Sequence, residues 1–168
     1  PELIPPDDEN DGWDAYMNIS PVYDYFRRFG YKGFERDETV WIYVHYGEPG
    51  LKKAFYWNDA IYLADDHAKL DVIAHEYTHG VTADTAALIA IHETGALSES
   101  ISDIFAALID VDSPWTIAEE LSYGPIRNLK DPTEEGNPRR YSARETRNWG
   151  ECNDDAPRCS DEGLHCIN

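Results

Sequence analysis

The chain has 168 residues, enough for one domain with a sizeable core, and its 33 acidic against 14 basic residues leave a formal net charge of −19. That surplus argues against nucleic acid or an anionic membrane as partner. No apolar run approaches the roughly 18 residues of a membrane span. A surface this acidic suits calcium sites, salt adaptation or plain solubility.

Residues 1–12 are rich in Pro and Asp and read as a tail. The opening Pro1-Glu2-Leu3 has no basic segment before an apolar one, so the sequence reads as a mature or excised fragment. Ser20 to Phe29 is expected to be helical, with Ser20 as N-cap, Pro21 in the first turn, Val22, Tyr25, Phe26 and Phe29 as the apolar stripe, and Gly30 as the stop. Thr39 to Tyr46 alternates like a strand. Ala54 to Trp57 and Ile61 to Ala64 flank Asn58-Asp59 and predict a hairpin.

Asp71 to Val81 reads as a helix, with Asp71 favouring its N-terminus and Gly80 weakening it near the end. Ala86 to Ile91 is apolar and open to a helical reading. A second long helix is expected from Leu97 to Val111, its stripe being Leu97, Ile101, Ile104, Phe105, Leu108 and Ile109. Trp115 to Leu121 reads as a short helix, and everything after Gly124 as loop. Strands ahead of helices predict an α+β fold. Cys152, Cys159 and Cys166 lack a C-x-x-C spacing, so one disulfide and one free thiol in a secreted protein is the expectation.

The chemistry concentrates in His75-Glu76-Tyr77-Thr78-His79. Histidines four apart share one face of a helix and can hold a single ion. Glu76 stands about 100° round the helix from His75, beside such an ion without ligating it. Glu99 and Asp103 sit four apart on a common face of the second helix. His75, His79 and Glu99 make a His₂Glu zinc set with a fourth position for water. Glu76 is then the general base. Asp103, one turn beyond Glu99, is the natural acceptor for a ligand histidine's other ring N–H. A solvated acidic face is the ordinary alternative for the two carboxylates.

The run from His75 through Ala86, together with Glu93-Thr-Gly-Ala-Leu-Ser-Glu-Ser-Ile-Ser-Asp-Ile-Phe105, closely resembles the thermolysin family of zinc metalloendopeptidases, the gluzincins, and the nineteen residues between His79 and Glu99 match that family's spacing. The resemblance implies a zincin-like fold: a small β-sheet whose edge strand packs on two active-site helices, followed by a loop-rich C-terminal part. It implies one catalytic domain over 1–168, shortened at both ends, with the family's helical C-terminal lobe absent.

The resemblance also implies further roles. Arg127 would hydrogen-bond the substrate backbone, a surface arginine being the alternative. His165 would steady the oxyanion, oriented by Asp161. Ala54 would lie on the substrate-pairing edge strand. Asp71, Asp110 and Glu119 match a calcium-binding carboxylate cluster, of which at most one ion is expected. An oxyanion-stabilising tyrosine of the family falls on Ala90. The implied cofactor is zinc, with calcium open. The implied partner is a peptide or protein substrate, with a second lobe or partner over an open cleft. A zinc-binding module that does not cleave is the alternative.

Overall fold

The computed structural model describes residues 11–34, 39–88, 92–113 and 115–131, with only the backbone described for His92 and Glu93. Helix α1 spans Asp11–Arg27, nine residues earlier than the pattern around Ser20 suggests. Asp11 and Asp14 complement the positive end of its dipole. Ala15, Val22 and Phe26 bury one face. Pro21 therefore lies inside the helix rather than at its start, and Ser20, one residue earlier, turns its Oγ–H back to the Tyr16 carbonyl at 3.2 Å instead of capping. Asp11 and Gly12, placed in the tail by composition, are helical. Gly30, at φ +87°, stops the helix as expected: its N–H bonds the Arg27 carbonyl and that of Tyr31 bonds Phe26.

Strands β1 (Trp41–Tyr43), β2 (Ala54–Trp57) and β3 (Ala60–Leu63) form one sheet in the order β1-β3-β2. β1 runs parallel to β3 and β2 antiparallel, so β2 is an edge. The hairpin falls where Asn58-Asp59 places it. Both residues hold positive φ, 48° and 60°, as a two-residue turn with the twist of its strands requires. β1 is shorter than the alternating run from Thr39 to Tyr46.

The sheet's inner face carries Ile42, Tyr56, Ile61 and Leu63 into a core shared with Phe26, Phe34, Val72, Ile73 and Tyr77. Its outer face stacks Tyr43, Tyr62 and Phe55 across the three strands, with neighbouring ring centroids 4.9 Å apart.

Helix α2 (Leu70–Ala86) packs against α1, β2 and helix α3 (His92–Ile109). It runs past Gly80 for six more residues and ends at Ala87, which is left-handed at φ 50°. Gly80 is a packing residue, not a breaker: a Cβ there would collide with the Phe34 ring.

Two expectations after α3 are overturned. Thr116–Ile117 is a strand, β4, not part of a helix, and Arg127–Asn128 is its antiparallel partner β5, not loop. The β-branched pair Thr116-Ile117 suits a strand, and Ile126 N–H to the Ile117 carbonyl (2.9 Å) and Leu129 N–H to that of Trp115 (2.8 Å) extend the ladder.

Candidate metal centre

α2 and α3 face each other with their polar residues inward. α3 buries Ser98, Ser102 and Asp103 against α2, while Leu97, Ile104 and Leu108 of the expected apolar stripe are exposed. The helix has turned its chemistry inward and part of its oil outward.

Three ligand-type side chains converge at that interface. His75 Nε2 and His79 Nε2 are 3.0 Å apart. Glu99 reaches the first with Oε2 at 3.2 Å and the second with Oε1 at 3.1 Å. Bonds of about 2.0–2.1 Å to a tetrahedral ion put neighbouring ligand atoms about 3.3 Å apart, so the triangle fits zinc.

The other ring nitrogens are engaged. His75 Nδ1 lies 2.8 Å from Asp103 Oδ1, an atom that can only accept when ionised, so Nδ1 carries the proton and Nε2 offers its lone pair. Two imidazole lone pairs and a carboxylate pointed at one spot need a cation among them. Burial works against a charged imidazole at His75, but the Asp103 and Glu99 carboxylates outweigh it and push its pKa up to about 10.

Asp103 is itself held by Arg127, whose Nη2 donates to Oδ1 at 2.6 Å. Burial alone would raise Asp103; Arg127 and His75 instead hold it well below the usual carboxylate range. Arg127 is therefore no surface arginine. It is 7 % exposed and stands behind His75, delivered there by β5. Glu76 is buried next to His75 and lies outside the converging set. Ala54 is half-buried on the edge strand β2.

The calcium candidates are not gathered in this way. Asp71 is buried, and its two oxygens receive the backbone N–H groups of Val72 and Ala118. Glu119 accepts from Thr116 Oγ1 at 3.0 Å. Among the described residues, the groups of three or more ligand-type side chains within 4.8 Å of one another are His75, His79 and Glu99, and the largely exposed Asp11, His45 and Asp65. The latter reads as a surface ion pair, His45 Nδ1 being 2.7 Å from Asp65 and 3.7 Å from Asp11. His165, Asp161, Ala90 and the three cysteines lie outside the described residues.

Residues 5–83 match the family model of the thermolysin metallopeptidase catalytic domain, and residues 86–157 that of the thermolysin metallopeptidase alpha-helical domain. The chain belongs to the thermolysin metallopeptidase family. The join between the two matches falls in the last turn of α2, so the histidines come from one and Glu99 from the other. α3 thus lies within the match to the helical domain, the lobe expected to be absent.

Neutral protease B of Bacillus subtilis is 38% identical over 148 residues, covering 79% of this chain and 27% of that protein. Thermolysin of Alicyclobacillus acidocaldarius is 34% identical over 156 residues, covering 79% and 28%. The chain thus spans little more than a quarter of these relatives' length. The solved precursor of protealysin, a metalloproteinase from Serratia proteamaculans, superposes with a TM-score of 0.62 at 26% identity, over 78% of this chain and 48% of that one. The family is zinc-dependent, and the spacing of His75, His79 and Glu99 suits that ion. The fold is α+β and zincin-like, as expected.

Two site residues escaped the sequence reading. Ser98 and Ser102 place hydroxyls 3.1 and 3.3 Å from His79 Nδ1. Their positions relative to Glu99, one before and three after, were the available signal.

Proposed function

We propose that this chain is a zinc-dependent endopeptidase in which Glu76 is the general base. The observation that carries the reading is the convergence of His75, His79 and Glu99 with Glu76 buried beside them and outside the ligand set. Three ligands leave a position for water, and a base at that position has no purpose in a closed structural site. Bound zinc would supply a Lewis acid and a more acidic water. Glu76 takes the proton released as water attacks a peptide carbonyl and hands it to the leaving amine. Asp103 and Arg127 keep the His75 ring in its ligating tautomer. The open edge of β2, including Ala54, aligns an extended peptide by backbone pairing.

His165, with Asp161, is assigned to the oxyanion by resemblance. A peptide or protein is the substrate class. The exposed Leu97, Ile104, Leu108 and Val111 suit burial beneath a partner or lobe. The cysteines and the absence of a membrane-length apolar helix among the described residues accord with a secreted setting.

Cleavage of casein or a furylacryloyl dipeptide tests the reading. Activity should vanish with a chelator and return with zinc. Glu76→Gln should lower it by roughly 10²–10⁴-fold while zinc content is kept. A zinc-loaded protein that cleaves neither substrate sinks the proposal.

A further inference from the structure

The two histidines are backed by different chemistry. Behind His75 stands a carboxylate, which as an obligate acceptor dictates the ring's tautomer. Behind His79 stand hydroxyls, Ser98 Oγ at 3.1 Å and Ser102 Oγ at 3.3 Å from Nδ1. A hydroxyl can donate or accept. If Ser98 donated to Nδ1, the proton of the neutral ring would move to Nε2 and the ligand lone pair would be lost.

Thr82 removes that freedom. Its Oγ1 lies 3.0 Å from the backbone carbonyl of His79, which can only accept, so the Thr82 proton is committed there. The oxygen of Thr82 then faces Ser98 Oγ at 3.4 Å as an acceptor. Ser98 spends its one proton on Thr82 and presents a lone pair to Nδ1. Nδ1 can then donate to Ser98, which leaves Nε2 free for a metal; the Ser102 hydroxyl, 3.3 Å from Nδ1, is the one neighbour whose direction Thr82 does not set. The chain of bonds closes on itself, running from the His79 ring to Ser98, to Thr82 and back to the His79 carbonyl. Thr82, Ser98 and Ser102 are all buried, so water is poorly placed to substitute.

We propose that Thr82, acting through Ser98, is the positioning residue that fixes the tautomer of His79 and so its competence as a zinc ligand. The proposal rests on the reading of His79 as a ligand, and not on catalysis.

The test is the zinc dissociation constant, read by competition with a chromogenic chelator, alongside the melting temperature of the zinc-free protein. Thr82→Val keeps the shape and removes the hydroxyl. It should weaken zinc binding by roughly 10–100-fold, the usual effect of losing a partner that orients a ligand. Thr82→Ser keeps the hydroxyl and should bind like the parent. Ser98→Ala should weaken zinc at least as much as Thr82→Val. Adding Thr82→Val to it should change little more, because Thr82 acts only through Ser98. In ¹⁵N spectra of the zinc-free protein, Thr82→Val should gain the Nε2–H form of His79.

Unchanged affinity in Thr82→Val overturns the proposal. So does an equal loss in Thr82→Ser, or full additivity with Ser98→Ala. Should Thr82→Val fail to fold, Thr82→Ala is read on the same scale. No substrate is involved in these measurements. A protein that holds zinc but cleaves nothing defeats the protease reading and leaves this one standing, whereas cleavage by a Thr82→Val variant with parental zinc affinity does the reverse.

Discussion

Arg127 Nη2 lies 2.6 Å from Asp103 Oδ1, inside the protein, where Asp103 is 1 % exposed. The same oxygen takes the Nδ1 proton of His75, so one carboxylate atom ties a hairpin strand to a ligand on α2. Nη2 and His75 Nδ1 are only 3.2 Å apart because two donors share one acceptor.

Arg127→Met should therefore act on fold and metal together. Removing one partner of a buried pair leaves a charge without full compensation, which costs about 3–5 kcal/mol. Asp103→Asn keeps an acceptor but leaves the buried Arg127 cation without its carboxylate, so it should cost a similar amount. The double variant should fall short of the sum of the two, because they share the interaction. Urea unfolding of the zinc-free proteins measures all four corners. An additive result would show that the pair is not coupled.

Asp71 supplies a pH dependence of stability. Burial pushes its carboxyl up to about 6; the Val72 and Ala118 N–H groups pull against that, and the charges of Glu119 and Asp110 add to the rise. The unfolded value is about 3.9. A carboxyl raised on folding binds its proton more tightly in the native state. Its contribution is thus full below about pH 4, declines as pH rises, and is lost above about pH 6. A shift of about 2 units corresponds to about 3 kcal/mol. Asp71→Asn stays neutral throughout, so its stability relative to the parent should grow between pH 4 and pH 6 and then level off. Denaturant midpoints of the two zinc-free proteins at half-unit steps would show this. A flat difference would mean that Asp71 ionises normally.

The ligand helix α2 and the Asn58-Asp59 hairpin were legible because each rests on local rules, a four-residue spacing and a two-residue turn. α3 was located but its orientation was misjudged. A stripe reading assumes that apolar residues face inward, whereas here Ser98, Ser102 and Asp103 are buried because His79, His75 and Arg127 satisfy them. β4 and β5 are two residues each, too short to show a period of two. The burial of Arg127 depends on a partner 24 residues away in sequence, and no local pattern announces it.

Gly80 offers a test of packing against propensity. Alanine is favoured over glycine by about 1 kcal/mol within a helix. At this position the added Cβ meets the ring of Phe34, which is fully buried and stacks near Tyr77 at 4.6 Å between centroids. Forcing that ring aside typically costs 1–3 kcal/mol. Gly80→Ala should lower stability, and trimming the obstacle in Gly80→Ala/Phe34→Leu should recover part of the loss relative to Phe34→Leu alone. Stabilisation by Gly80→Ala in the parent background would show that Phe34 yields freely and that the glycine is not held by packing.

Zinc removal should loosen the join between α2 and α3 before anything else. The metal binds the native state through ligands on both helices, so it stabilises by mass action, by about 2.7 kcal/mol when free zinc is a hundredfold above its dissociation constant. The zinc-free protein should melt lower, and its melting point should climb with the logarithm of added zinc. Glu99→Ala removes the one candidate ligand that α3 contributes among the described residues, leaving His75 and His79 on one helix. Its melting point should become nearly indifferent to zinc. Amide exchange should locate the effect: α3 amides should exchange faster without zinc, while the β2–β3 hairpin, which packs against α2 rather than α3, should change little. Equal loss of protection across the whole protein would mean that zinc supports global folding rather than this one interface.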